Sequence, residues 1–361
     1  MIDFEPSEEQ ALIIETVRQF AENEIRPQCR VTDEAGRPDQ AVLGAAHELG
    51  LVANALPEGF GGGGERSAIT GALIAEELGW GDMATAIAIL SPALIGLPVA
   101  DHGSEKIQNA VLPSLLGPDF SPGSLAIVEP RFDFDVFHPQ VTAKRDGDEF
   151  VLDGVKCQVP WLEGTRHCLV IAAENGHLAG FVVPTDATGS GAAPEQNLGL
   201  NGLPTVELTL SGVRVPASAR LAATDGEIRT LIDRGRIAVS AAALGGARAA
   251  FETARDYAKE RETFGQPIAT RQAIAFKLAD MAIEIDGARL LIWEAADAMD
   301  RGQDATRLTR LASDQTARIV LEIADGAVQV FGGHGYIRDY LPELHLRNLA
   351  GLASYETLAL V

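Results

Sequence analysis

Apolar positions along the chain fall into three regimes. Ser7 followed by Glu8, Glu9 and Gln10 is a capped helix start, and Leu12, Ile13, Val17 and Phe20 recur behind it at helical spacing. Pro27 is expected to close that helix, because its ring cannot donate to the preceding turn. After a glycine-rich loop at 57–64, helical spacing resumes at Ser67 and runs to about Leu116. A Pro- and Gly-rich stretch at 117–123 then changes the pattern. From Ser124 to about Pro216 the apolar runs are short and separated by turns. Residues 140–144, Gly147-Asp148 and 150–152 read as a hairpin, with further strands at 168–173, 178–183 and 206–210. Helical periodicity returns after Ala222 in three long amphipathic segments, 228–260, 271–299 and 304–330, whose length suits a helix bundle. The expected fold class is α+β: an N-terminal helical domain (1–122), a middle β-barrel or sandwich domain (123–222) and a C-terminal four-helix bundle (223–361).

Composition narrows the function. The 361 residues are 46% hydrophobic, enough for packed cores, and 51 acidic residues against 29 basic ones give a formal charge of -22. That excess repels phosphate backbones and anionic lipids, so neither nucleic acid nor a membrane surface is an expected partner. Cys29, Cys157 and Cys168 are sparse, odd in number and without a Cys-x-x-Cys pair, which points to a reducing compartment without disulfides or a zinc cluster. The first ten residues carry four acidic side chains and no apolar signal core, and no uninterrupted apolar run approaches the roughly 20 residues of a membrane span. The expected location is cytoplasmic.

Two glycine-rich stretches test for nucleotide motifs. Gly61 to Gly64 lacks a following Gly-Lys-Ser/Thr, so it is not a P-loop, and Gly332-Gly333-His334-Gly335 follows a helix instead of a strand, so it is not a Rossmann fingerprint. His334 and His345 stand eleven residues apart with no Glu or Cys at ligand spacing, and no metal is expected.

Four motifs together resemble the acyl-CoA dehydrogenase family. Arg261-Glu262-Thr263-Phe264-Gly265-Gln266-Pro267-Ile268, with Gln272 beyond it, is similar to the family's Arg-x-x-Phe-Gly-x-Pro-Ile…Gln motif. Gln329 to Tyr336 is similar to its glycine-rich turn, Val213 to Pro216 to its β-domain exit, and Arg347 with Tyr355-Glu356-Thr357 to its closing motif. The similarity runs from about residue 3 to residue 357.

The resemblance implies a reaction and a site. A carboxylate removes the α-proton of an acyl-CoA thioester while the β-hydrogen leaves as hydride to FAD, and an electron-transfer flavoprotein or similar acceptor reoxidises the cofactor. Glu356 matches the base, whose task asks for a carboxyl raised by burial. Some members place the base on the long helix, where this chain has Gly235-Arg236; glycine cannot take a proton, and Arg236 is implied to lie near base and thioester. Arg261, Thr263, Phe264, Gln272, Gln329, Gly332 and Gly333 match positions that bind the ADP end of FAD across a subunit boundary, and Thr357 belongs to the cofactor-facing end of the closing motif. Arginine suits a pyrophosphate because it pairs with two oxygens at once.

The middle domain departs from the family. Where the family carries Thr-Glu-Pro-Gly-x-Gly-Ser-Asp, this chain has Val128-Glu129-Pro130-Arg131-Phe132-Asp133-Phe134-Asp135, and the Lys-x-Trp-Ile-Thr motif is Lys156-Cys157-Gln158-Val159-Pro160. Three or four lost hydrogen bonds amount to roughly 2–6 kcal/mol of flavin affinity. Thr357 also replaces a glycine, which is expected to remove backbone freedom beside the base. A site intact on one side only implies a tetramer, hetero-oligomeric with a related subunit, with FAD at the interface. The alternative is a catalytically silent structural partner of a related dehydrogenase subunit.

Overall fold

A computed structural model describes residues 5–352, 355 and 357–361. Helix α1 (Glu8–Phe20) starts on a reciprocal cap: the Gln10 amide donates to Ser7 Oγ at 3.2 Å and the Ser7 amide donates to the Gln10 side chain at 3.0 Å. The helical path does not stop at Pro27. It passes through a widened turn at Ala21–Ile25 and a tight turn at Arg26–Gln28 into α2 (Cys29–Ala35), ending on left-handed Gly36. Pro27 sits at the start of the tight turn, where its fixed φ fits and its missing N–H has no partner to lose.

Helices α3 (Gln40–Glu48), α4 (Ala68–Gly81), α5 (Met83–Leu90), α6 (Ala93–His102) and α7 (Glu105–Leu115) complete the first block. The run Met83–His102 is apolar and long enough to cross a bilayer, an apolar stretch that reading uninterrupted runs overlooks because Ser91 and Pro92 divide it. Inside the fold 94% of its most apolar window is buried, so it is a core element packed against other helices.

Seven strands follow: β1 (Ser124–Ala126), β2 (Thr142–Asp146), β3 (Glu149–Pro160), β4 (His167–Glu174), β5 (His177–Pro184), β6 (Ser190–Pro194) and β7 (Thr205–Pro216). They form one curled sheet in the order β1-β4-β2-β3-β7-β6, with β5 also on β4. The expected hairpin is β2–β3, turning at Gly147 with φ 63°. The β3–β7 ladder shifts register between Leu152 and Gly154 and again between Lys156 and Val159. The second shift takes Cys157 and Gln158 out of the ladder and re-aims them, a common use of irregularities beside functional clefts.

Helix α8 (Asp225–Glu260) is 36 residues long and capped at Thr224 by Glu227. A two-stranded hairpin, β8 (Glu262–Thr263) and β9 (Gln266–Pro267), links it to α9 (Gln272–Asp300), α10 (Thr306–Phe331) and the short α11 (Pro342–Ala350). Helices α4 and α8 meet backbone to backbone: a Cβ on Gly79 would lie 2.0 Å from the Ala242 carbonyl oxygen, and one on Gly245 2.0 Å from that of Glu76. Glycine is required at both. Beside this contact the Arg248 guanidinium bridges Glu76 at 3.3 Å and Glu77 at 2.6 Å. One buried apolar cluster runs through α1, α4, α5, α8, α9 and α10, so the two helical blocks share a core.

The chain end is part of that core. Thr357, Leu358, Ala359, Leu360 and Val361 are all buried. The Val361 carbonyl oxygen accepts from Arg234 Nη1 of α8 at 3.0 Å, and the Val361 side chain fills the space above Gly71 of α4. Arg347 on α11 ties three regions together, donating to both Asp33 oxygens at 2.9 and 2.7 Å, to Glu343 at 2.8 Å and to the Leu198 carbonyl at 3.0 Å.

His345, also on α11, is buried near Arg26 and Arg30, and burial foremost, then those cations, hold its imidazole well below 6.5. The fold therefore keeps it neutral. Below about pH 6.5 the unfolded chain gains a proton that the folded chain refuses, so stability is full above that pH and falls as the pH drops. The thermal midpoint is expected to decline on acidification from pH 6.5, and His345→Gln is expected to flatten that limb; identical profiles for both proteins would refute the assignment.

Candidate active site and cofactor edge

The predicted site residues separate into two groups at opposite ends of α8. The first surrounds a cleft of about 650 Å³ between the sheet and α8, within the usual range for small-molecule sites. Its walls are the segment from Val128 to Phe137, the re-aimed Cys157 and Gln158 of β3, and Arg236 of α8, with Arg310 of α10 at the rim. Arg236 is buried and stands 3.5 Å from Asp233 one turn before it. Its guanidinium carbon is 5.4 Å from the centre of the Phe137 ring, and that of Arg229 is 4.4 Å away on the same ring. Phe137 thus lies in a cationic field that favours its π faces. Glu356 lies outside the described residues. Its neighbour Thr357 packs directly on Gly235, so the closing motif reaches α8 beside Arg236. Thr357 has φ 51°, a left-handed conformation that glycine adopts freely and threonine rarely.

The cleft wall rests on a buried ion pair that sequence reading passed over. Lys156, fully buried, donates to Glu129 Oε1 at 3.0 Å and to the Ile127 carbonyl at 2.8 Å. The Glu129 carboxylate also accepts from the amides of Gln140 and Val141 and lies 3.2 Å from Arg131 Nε. Burial drags the Lys156 amine down to about 8 against the pull of Glu129. Burial alone would raise Glu129; Lys156 and the two amides outweigh it and leave the carboxyl below its usual range. The signal was present as a lone Glu and a lone Lys in apolar surroundings, which are almost never buried unpaired.

The segment that replaces the family's hydroxyl- and glycine-bearing loop is closed upon itself. The Arg131 amide donates to the Glu129 carbonyl, Arg131 Nη2 to the His138 carbonyl at 3.0 Å, and the Asp135 carboxylate accepts from the Phe137 amide and meets the His138 imidazole at 2.6 Å. Those donors are spent internally, and Phe132 points into solvent. Gln158 has φ 53° and gives its amide to Glu195, while its Oε1 is buried with no hydrogen-bond partner among the described residues. The Cys157 thiol is half-buried at the cleft and pushed up to about 11, chiefly by burial, whereas Cys29 and Cys168 are fully buried. This wall offers little to a pyrophosphate.

The second group gathers at the far end of α8. Arg261 caps the helix, Thr263 lies in the β8–β9 hairpin, and Phe264 and Gly265 form its tip with φ 54° and 75°. Gln272 opens α9, Gln329 lies in the last turn of α10, and Gly332 and Gly333 form the turn after it. A small apolar cluster of Ala254, Ala258, Ile268, Val330 and Phe331 holds hairpin and glycine turn side by side. Tyr257 stacks on Phe331 at 3.8 Å and its hydroxyl is 2.9 Å from His334 Nδ1, which gives His334 a structural task. Among the described residues no three His, Cys, Asp or Glu side chains converge on a metal site. Arg261, Phe264, Gln272, Gln329, Gly332 and Gly333 are exposed and Thr263 is half-buried. No described residue pairs with the Arg261 guanidinium. A free cation, two amide side chains and glycines open to close approach fit the ADP half of a dinucleotide.

Arg236 and Arg261 lie on one continuous helix, and at its rise of about 1.5 Å per residue they are about 37 Å apart. A single bound dinucleotide does not serve both. Helix α9 continues from the second group as a stripe of exposed Phe276, Ile283 and Leu290, spaced by seven.

Comparison with known proteins agrees with this fold and these motifs. Residues 7–118 match the model for the acyl-CoA dehydrogenase N-terminal domain, and residues 227–356 the model for its C-terminal domain. The chain belongs to the acyl-CoA dehydrogenase family, FAD-dependent oxidoreductases that act on CH–CH bonds. It is 34% identical to the Bacillus subtilis protein YngJ, a probable acyl-CoA dehydrogenase, over 96% of this chain and 94% of that one. It is 33% identical to cyclohexane-1-carbonyl-CoA dehydrogenase of Geobacter metallireducens, over 96% and 93% respectively. Among solved structures, glutaryl-CoA dehydrogenase of Mycobacterium smegmatis in complex with FADH2 superimposes with a TM-score of 0.88 and 28% identity, covering 97% of this chain and 91% of that one.

Proposed function

We propose that this chain is one subunit of a heteromeric, cytoplasmic acyl-CoA dehydrogenase tetramer that desaturates an acyl-CoA thioester between its α and β carbons. The single observation carrying this reading is the unbroken helix α8, which sets Arg261 at its end about 37 Å along the axis from Arg236. Each chain then offers one substrate cleft and, far from it, one edge for the cofactor of a neighbour. The exposed apolar stripe of α9 adjoins that edge and supplies a seam for the neighbour. The self-closed segment from Arg131 to His138 favours a different, related subunit as that neighbour, with an intact flavin-holding loop of its own.

In this reading Arg261, Thr263, Phe264, Gln272, Gln329, Gly332 and Gly333 would hold the ADP end of the neighbour's FAD; Thr357, buried against Gly235 beside the cleft, is not on that edge. Bound FAD would supply the acceptor for the hydride that leaves the β carbon, with an electron-transfer flavoprotein or similar acceptor as the sink for its electrons. Glu356 takes the α-proton. Arg236 fixes the thioester beside it, and the Phe137 ring keeps water from the guanidinium. The second reading, a catalytically silent partner, is favoured by the same self-closed segment.

Flavin stoichiometry tests the proposal. The chain purified alone is expected to carry well under one FAD per chain, and the chain co-expressed with a related subunit is expected to form a mixed tetramer that retains FAD through gel filtration. A tightly bound, stoichiometric FAD in the chain alone would overturn it.

A further inference from the structure

Gln158 occupies a strained position that the fold holds firmly. Its φ of 53° puts a non-glycine residue in the left-handed region, which persists only where the surroundings over-determine it. Two anchors do so. The Cys157 amide donates to the Val128 carbonyl at 2.9 Å, and the Gln158 amide donates to the two Glu195 carboxylate oxygens at 3.2 and 3.0 Å. Glu195 is itself fixed, accepting from Thr205 Oγ1 at 2.7 Å, while Asn197 Nδ2 donates to that hydroxyl at 2.8 Å. The anchors lie where the β3–β7 ladder breaks between Lys156 and Val159, and the break makes Gln158 part of the wall of the cleft between the sheet and α8.

The carboxamide carried on this backbone serves no contact of the fold. Its Oε1 is buried, and no described residue pairs with either end of the group. A buried acceptor without a donor is destabilising, and most such groups in folded proteins are satisfied. Its neighbours do not compete for a donor. The side chains of Phe134, Phe137, Arg236 and Arg310 in the same cleft accept no hydrogen bond, the Glu129 carboxylate is spent on Lys156, and that of Asp135 meets His138.

We infer that Gln158 is a specificity-determining residue of the cleft: its Oε1 accepts from an N–H or O–H group of the ligand, so the cleft selects a ligand that carries such a donor over the analogue that lacks it. The inference rests on the proposed acyl-CoA reading of the cleft. Two parts of an acyl-CoA can carry the donor, a hydroxyl on the acyl group or an amide N–H of the carrier arm. In either case the strained backbone and the unmet acceptor are features of a recognition site prepared in advance of its ligand.

Two measurements on the full chain test it without turnover. Gln158→Met keeps the length and the unbranched Cβ of the side chain but removes the acceptor. Because no bond within the fold is lost, its thermal midpoint without ligand is expected to equal or exceed that of wild type. A midpoint lowered by several degrees would reveal a structural role and overturn the inference. Calorimetric titration with hexanoyl-CoA and with 4-, 5- and 6-hydroxyhexanoyl-CoA then locates the donor. At least one hydroxylated thioester is expected to bind wild type about 10- to 100-fold more tightly than hexanoyl-CoA, with the gap closing in Gln158→Met. A loss of that order for all four thioesters in Gln158→Met assigns the donor to the carrier arm and supports the inference equally. Affinities that ignore the substitution would overturn Gln158 as a recognition residue and leave the acyl-CoA reading intact. Failure of every thioester to bind wild type would sink that reading, and the inference with it.

Discussion

Replacing Glu356 by glutamine in the reconstituted enzyme is expected to lower kcat by about 10²–10⁴-fold, the usual contribution of a positioned proton acceptor. Glutamine keeps the size of the side chain but cannot take a proton. Substrate binding should survive, since the proposed contact between the thioester and Arg236 is untouched, so the loss belongs in kcat rather than in KM. Stopped-flow reduction of the flavin by an acyl-CoA measures it directly: a slow reductive phase at full saturation supports the assignment. A rate equal to wild type places the chain among structural partners, with turnover housed in its neighbour.

The second large effect concerns stability. Glu129→Ala strips Lys156 of its counter-charge in a fully buried position, and breaking one side of such a pair costs about 3–5 kcal/mol. The amides of Gln140 and Val141 lose their acceptor in the same step. Lys156 already titrates at about 8, and without Glu129 its amine falls further. The folded protein then releases that proton at lower pH than the unfolded chain, whose lysine holds it until about 10.5. Stability of the variant is therefore expected to rise with pH across that interval. Urea titrations at pH 7 and pH 9 would show it, and a variant as stable as wild type at pH 7 would contradict the reading. Replacing both partners by apolar residues is expected to cost much less than removing Glu129 alone.

Much of the fold was legible because it rests on local rules. The Ser7–Gln10 cap, the β2–β3 hairpin at Gly147 and the three long helices each announce themselves within a few residues. Pro27 misled because a proline's local effect was weighed without the turn geometry that accommodates it. The Arg261 motif and its glycine turn were legible as residue types, and folding brings them to one exposed edge through the cluster around Ile268 and Phe331. What stayed hidden depends on contacts between residues far apart in sequence. Glu129 and Lys156 are separated by 27 positions, Arg347 and Asp33 by 314, and neither pairing has a spacing signature. The left-handed Thr357 was hidden for a further reason: propensity argues against it, and only the missing side chain at Gly235 makes room.

The sulfur of Cys157 gives the molecule a native reporter. It alone of the three thiols borders the cleft, while Cys29 and Cys168 are sealed in the interior. A maleimide dye offered to the intact fold would attach at a single known address, slowly, because a thiol pushed up to about 11 is seldom ionised at neutral pH. Labelling speed then becomes a gauge of whether anything sits in the cleft, readable without turnover, colour or a second subunit.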